Sequence, residues 1–153
     1  MPHDESWNAT QARAIIDAHA ALPGAALPIL HALQDRFGYI PDPAIPLIAD
    51  ALNVSRADMH GIVSFYHDFR HAPPGRHVLR LCRAEACQST GAAALATALL
   101  DRLGIAWGGT TSDGRLTVLP VYCLGLCVCG PAALLDGEPI GELDEAKLAE
   151  IAA

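Results

Sequence analysis

Four of the five cysteines fall into two short motifs suited to soft metal ions. Cys82 and Cys87 stand in Leu-Cys-Arg-Ala-Glu-Ala-Cys-Gln-Ser-Thr-Gly, a C-x4-C turn, and Cys123 and Cys127 in Val-Tyr-Cys-Leu-Gly-Leu-Cys-Val-Cys-Gly-Pro, a C-x3-C loop. Each pair of thiolates can grip one iron, so the four together can enclose a rhombus of two irons and two sulfides. The same four could instead cage a structural Zn ion, which would make the chain a Zn-stabilised interaction domain. Zinc ribbons favour C-x2-C pairs, however, and neither motif has that spacing. A thiol exchanger needs C-x2-C opening a helix, which is also absent. Cys129, in Cys-Val-Cys, reads as a neighbouring thiol outside the ligand set.

A two-iron site with four thiolates carries a formal charge of about -2, falling to about -3 on reduction. Three features are expected to offset it. Gly125 and Gly130 let backbone N–H groups approach sulfur, a helix beginning near Ser89 turns its positive end toward Cys87, and Arg83 adds a cation. Such a site suits one-electron transfer, because its ligands need not move. Catalysis at iron demands an open coordination position or a non-Cys ligand, and no Cys-x-His pair is present.

The elements that position these thiols follow a break at His71 to His77, where Ala-Pro-Pro-Gly-Arg cannot continue a helix. The pattern predicts a strand at Val78 to Cys82, a helix from Thr90 to Leu103, and a strand from Leu116 to Tyr122. A hairpin turning at Asp136-Gly137 and a helix after Asp144, with Leu148 and Ile151 inward, complete the half. Adjacent strand ends would then bring both thiol pairs to one edge of a small sheet. Before the break every apolar pattern is helical, and four short helices are expected. The first is capped by Asn8 with Gln11 at its third position and turns Ala12, Ile15, Ile16 and Ala20 inward. The second has Pro28 in its first turn, lines up Leu30, Leu33 and Phe37, and stops at Gly38. The third follows Asp42-Pro43 and buries Leu47, Ile48 and Leu52. The fourth opens on a Ser55/Asp58 capping box and carries Met59, Ile62, Val63 and Tyr66.

Hydrophobic residues at 52% supply a real core. A net charge of -7, with Lys147 the sole lysine, offers no basic stripe for a phosphate backbone, so nucleic acid is excluded as a partner. The window from Ala92 to Leu100 is about half a bilayer span and ends on Asp101-Arg102, so no membrane insertion is expected. The sequence Met-Pro-His-Asp-Glu-Ser lacks the basic and apolar regions of a secretory signal, and five cysteines outside a disulfide framework suit the cytoplasm. His19, His31 and His60 read as helix residues, and His67 and His71 as solvated ones. Tyr66 and Tyr122 are expected in core packing, and Gly108 to Thr111 forms a turn, lacking the lysine of a phosphate loop.

Together, the helical first half, the Pro-Pro-Gly link, C-x4-C after a strand and the Cys-Leu-Gly-x-Cys loop resemble the thioredoxin-like 2Fe-2S ferredoxin family. This is the family of the 24-kDa subunit of respiratory NADH dehydrogenase, with relatives in NAD-reducing hydrogenases and formate dehydrogenases. Phe37-Gly38-Tyr39-Ile40-Pro41 and Gly61-Ile62-Val63-Ser64-Phe65-Tyr66-His67-Asp68-Phe69 are similar to phrases of its helical segment. The resemblance implies an α/β chain, an N-terminal short-helix bundle over residues 1–72 followed by a thioredoxin-like 2Fe-2S domain over 73–153. It implies one 2Fe-2S cluster on Cys82, Cys87, Cys123 and Cys127. Cys-Arg-Ala-Glu-Ala-Cys-Gln-Ser with Val-Tyr-Cys-Leu-Gly-Leu-Cys looks most like the gamma subunit of the cytoplasmic, molybdenum-containing, NAD-dependent formate dehydrogenase. That likeness implies two partners, a flavoprotein subunit binding FMN and NAD and a catalytic subunit holding the molybdenum cofactor. The alternative it leaves is the equivalent 2Fe-2S subunit of NADH dehydrogenase or of an NAD-reducing hydrogenase. In either case the chain transfers electrons and is not an enzyme by itself.

Overall fold

The computed structural model describes residues 7–153. The stretch 1–6, on which the expectation of no secretory signal rests, lies outside the described residues. The chain forms two compact units, Met1–Pro73 and Pro74–Ala153.

The first unit contains α1 (Ala9–His19), α2 (Ala26–Phe37), α3 (Ala44–Leu52) and α4 (Arg56–Phe65). Local chemistry sets most of their ends. The Asn8 side chain accepts from the N–H groups of Thr10 and Gln11, Gly38 closes α2 with φ +81°, and Ser55 and Asp58 form a reciprocal capping box. Gln11 does not return the bond to Asn8, because its side-chain oxygen accepts from Arg36 at 3.1 Å. On α3 the inward stripe is Ala44, Ile45, Ile48 and Ala49, whereas Leu47 and Leu52 are only partly buried. The two alanines let neighbouring helices come close, which rotates the larger leucines to the rim of the core. Gln34, 8% exposed, ties the two family-like phrases together. Its amide donates to the Asp68 carbonyl at 2.8 Å and accepts from the Arg70 N–H at 2.7 Å, and Arg70 Nε in turn donates to the Gly38 carbonyl.

The second unit contains β1 (His77–Cys82), α5 (Glu85–Ser89), α6 (Ala92–Leu103), β2 (Leu116–Val121), β3 (Ala133–Leu135), β4 (Glu138–Ile140) and α7 (Glu145–Ile151). The sheet order is β2-β1-β3-β4. β1 and β2 are parallel, joined through α6, and β3 and β4 return antiparallel as a hairpin. Asp136 at φ +52° and Gly137 at φ +94° give the turn the paired positive dihedrals of a tight hairpin. Leu79, Leu81, Leu116, Val118 and Ala133 from the sheet pack with Leu99 and Leu100 of α6 and Leu148 of α7.

The helix expected from Thr90 to Leu103 is α6, but the C-x4-C stretch before it, read as a turn, contains the short helix α5. Thr90 Oγ1 bonds back to the Cys87 carbonyl at 2.9 Å, and Gly91 turns left-handed at φ +99°, so α5 stops before α6 begins. Tyr66 and Tyr122 are not core residues; they are 42% and 69% exposed. Each lies just past the end of its element, where the chain no longer alternates between core and solvent. Among the described residues no helix is long and apolar enough to cross a membrane.

Candidate metal centre

The parallel pairing of β1 with β2 decides where the cysteines meet. Cys82, the last residue of β1, lies opposite Val121, the last of β2, and both chains leave the sheet at the same edge. From Cys82 the chain enters α5, which contains Cys87, and from Val121 it runs through Tyr122 into the loop holding Cys123 and Cys127. β3 begins beside them, with the Cys82 N–H donating to the Ala132 carbonyl at 3.0 Å. The structure therefore brings together all four cysteines singled out in the sequence.

They form an inner and an outer pair. Cys82 and Cys87 are buried, with their thiols within hydrogen-bonding reach of each other, and Cys123 and Cys127 are exposed and likewise paired. Thiols presented two by two match a two-iron cluster, in which each iron takes one pair.

The electrostatics separate the thiols. Burial pushes Cys82 up, but backbone N–H groups of Ala84, Cys123 and Leu124, with the Cys87 thiol, outweigh it and lower its pKa. Two of those donors belong to the neighbouring residues Cys123 and Leu124, and the Cys123 φ of +73° lets both N–H groups face one sulfur. That left-handed turn is unusual for a side-chain-bearing residue and costs about 1–3 kcal/mol, yet it makes an anion-holding nest around the Cys82 sulfur. Cys87 is raised by burial and by the Cys82 thiol, against an opposing N–H from Ala132. Cys127 is raised by the neighbouring Cys123 thiol. Main-chain dipoles thus favour negative charge at Cys82, whereas at Cys87 and Cys127 the opposing effects win.

The compensation expected at Gly130 and from a helix start near Ser89 takes a different form. Gly130 N–H bonds to the Cys127 carbonyl, and its missing side chain instead admits Thr90 and the Cys87 sulfur, which a Cβ would meet at 3.2 and 3.4 Å. Cys87 lies inside α5, so no helix starting at Ser89 points at it. The Arg83 guanidinium stacks on Trp107, 4.9 Å from the ring centroid. The donors at Ala84, Leu124 and Ala132 are main-chain groups on ordinary apolar residues, so side-chain identity carried no signal for them. Cys129 lies apart, its thiol bonded to the Leu126 carbonyl at 3.4 Å. His67 and His71 are exposed.

A βαβ unit followed by a hairpin and a helix, with a thiol-lined edge at the ends of its parallel strands, defines a thioredoxin-like ferredoxin architecture. The family model of thioredoxin-like 2Fe-2S ferredoxins matches residues 12–153, and the chain belongs to that family. The NADH-quinone oxidoreductase subunit designated E in Pseudomonas aeruginosa is 37% identical over 119 residues, covering 78% of this chain and 72% of that protein. Its counterpart in Escherichia coli (strain K12) is 37% identical over 127 residues, covering 83% and 76%. A crystal structure of an NAD+-reducing NiFe hydrogenase in the H2-reduced state superposes with a TM-score of 0.67 at 31% identity over 80% of this chain. The chain spans about a fifth (21%) of that hydrogenase chain. Membership of the family implies one 2Fe-2S cluster.

Proposed function

We propose that this chain is the electron-transfer subunit of an NAD-linked complex of the NADH dehydrogenase or NAD-reducing hydrogenase type. In it, Cys82 and Cys87 hold one iron of the cluster and Cys123 and Cys127 the other. The observation that carries the reading is the in-register parallel end of β1 and β2, which delivers two thiol pairs to one sheet edge. When bound, the cluster supplies a one-electron carrier. The protein's part is to hold charge and give access. N–H groups of Ala84, Cys123 and Leu124 stabilise the anionic Cys82 sulfur and that of Ala132 offsets part of the burial at Cys87, while exposed Tyr122, Cys123, Cys127 and Val128 leave the outer side open to a partner. The partner of this reading is a flavoprotein subunit binding FMN and NAD, whose flavin links hydride chemistry to single electrons. The cytoplasm, where thiols stay reduced, is the proposed compartment.

The family match favours this reading over a Zn-stabilised interaction domain. The narrower assignment to a molybdenum formate dehydrogenase rests on the Cys82-to-Ser89 and Val121-to-Cys127 stretches. The relatives named above carry NADH-quinone oxidoreductase and hydrogenase names, so the formate reading stands second. Copurification of the tagged full chain, followed by assays of the assembly, separates them. A flavoprotein partner with NADH-dependent quinone reduction or hydrogen-dependent NAD+ reduction supports the first. A molybdenum subunit with formate-dependent NAD+ reduction supports the second, and an assembly without any flavoprotein refutes both.

A further inference from the structure

The segment joining β4 to α7 lies across the return arm of the second cysteine loop. The Glu142 N–H donates to the Cys129 carbonyl at 2.6 Å and the Leu143 N–H to the Pro131 carbonyl at 2.9 Å, and the Leu143 side chain is buried. That arm runs on to Ala132, whose carbonyl is bonded to Cys82 N–H and whose own N–H points at the Cys87 sulfur. At its other end the Cys129 N–H closes the 3-10 turn of Cys127–Cys129 onto the Leu126 carbonyl at 3.1 Å. Residues from Cys127 to Ala132 are thus held between β1 on one side and residues 141 to 143 on the other.

Gly141 sits at the tightest point of this crossing. A Cβ there would lie 2.8 Å from Cys129 Sγ, 2.9 Å from its Cβ and 3.0 Å from its carbonyl oxygen. The Gly141 φ lies outside the left-handed region, so the absence of a side chain is required by contact and not by backbone conformation. Cys129 is the counterpart, its thiol directed to Leu126 within the same turn.

We propose that Gly141 and Cys129 form a positioning contact for the metal centre: the bare backbone of Gly141 closes onto the fifth cysteine and sets where Cys127 and the Ala132 N–H lie relative to Cys82 and Cys87. The inference rests on the ligand reading given above. Cys129 acts here through packing, not as a ligand. In Gly141→Ala the added methyl has no flexible side-chain end to displace, because two of its three neighbours are the Cys129 Cβ and backbone oxygen, so the arm itself must move.

The test uses the full chain purified anaerobically, comparing the wild type, Gly141→Ala, Cys129→Gly and the double variant Gly141→Ala/Cys129→Gly. The readouts are visible circular dichroism, the g-values of the reduced protein and the midpoint potential. Gly141→Ala is expected to shift all three and to bleach faster in air, and the double variant, which lacks both the Sγ and Cβ of residue 129, to recover toward Cys129→Gly. If Gly141→Ala loads no cluster at all, recovery of cluster content in the double variant still supports the contact. A Gly141→Ala protein with wild-type spectra and potential overturns the proposal, as does a double variant no better than the single one. Cys127→Ser distinguishes this from failure of the ligand reading itself, since full iron and sulfide in that variant would remove Cys127 from the ligand set whatever Gly141 does.

Discussion

Replacing Thr117 by Val removes one hydroxyl from the sheet and keeps its shape. Thr117 is 3% exposed; its oxygen accepts from the Gly75 N–H at 2.7 Å and shares a 2.7 Å hydrogen bond with Thr110 Oγ1. Valine leaves the Gly75 donor facing a methyl group, and stranding such a donor costs about 1–3 kcal/mol. Thr110→Val leaves the Gly75 bond in place and removes only an ordinary side-chain pair, worth about 0.5–1.5 kcal/mol. Thr117→Val should therefore lose about 2 kcal/mol and exceed Thr110→Val. With a urea slope near 2 kcal/mol per molar, the unfolding midpoint falls by about 1 M. Each unit contains one tryptophan, Trp7 and Trp107, so fluorescence in a Trp7→Phe background reports on the second unit alone. Cluster spectra should stay unchanged, because Thr117 pairs with Val78 at the far end of the strands from Cys82. An unmoved midpoint, or an equal loss in Thr110→Val, would refute the reasoning.

Other outcomes follow from single contacts. Ser55→Ala breaks the capping box on α4 and should cost about 1 kcal/mol in the first unit, read from Trp7 fluorescence in a Trp107→Phe background. Burial raises the Asp136 carboxyl, but bonds from the His77 ring and the Val78 N–H outweigh it and hold the pKa below its usual value. The resulting stability is present above the unfolded carboxylate pKa of about 3.9 and is lost as pH falls through the lower folded value. Urea midpoints between pH 6 and about 3 should fall less steeply in Asp136→Asn, whose residue type tolerates the φ of +52°. Serine at position 82, 87, 123 or 127 should abolish the wild-type cluster spectrum, whereas Cys129→Ser retains bound iron; bleaching in Cys129→Ser alone would contradict the ligand set.

Much of this architecture was legible where it depends on local chemistry. Asn8, Gly38, Ser55 with Asp58, Asp136-Gly137 and Asp144 mark their helix ends or turn through neighbours within a few residues. The thiol motifs were legible for the same reason, since cysteine spacing is itself the signal. What the sequence hid is non-local or carried by the main chain. The antiparallel return of β3 beside β1 involves residues more than fifty apart. The N–H donors belong to Ala84, Leu124 and Ala132, and no side chain announces them. The short helix α5 was missed because five residues, Glu-Ala-Cys-Gln-Ser, are too few to show a helical apolar period. Arg83 was assigned to the sulfurs by adjacency in sequence; its stacking on the ring of Trp107, more than twenty residues on, is a non-local contact that no spacing announces.

The central claim is that two thiol pairs at the parallel strand ends share one pair of bridged irons. Native mass spectrometry of the anaerobically purified full chain tests it most directly. The account predicts one added mass equal to two irons and two sulfides, absent after Cys82→Ser and Cys123→Ser; a chain carrying a single zinc ion, or one retaining the two-iron mass in both variants, would contradict it.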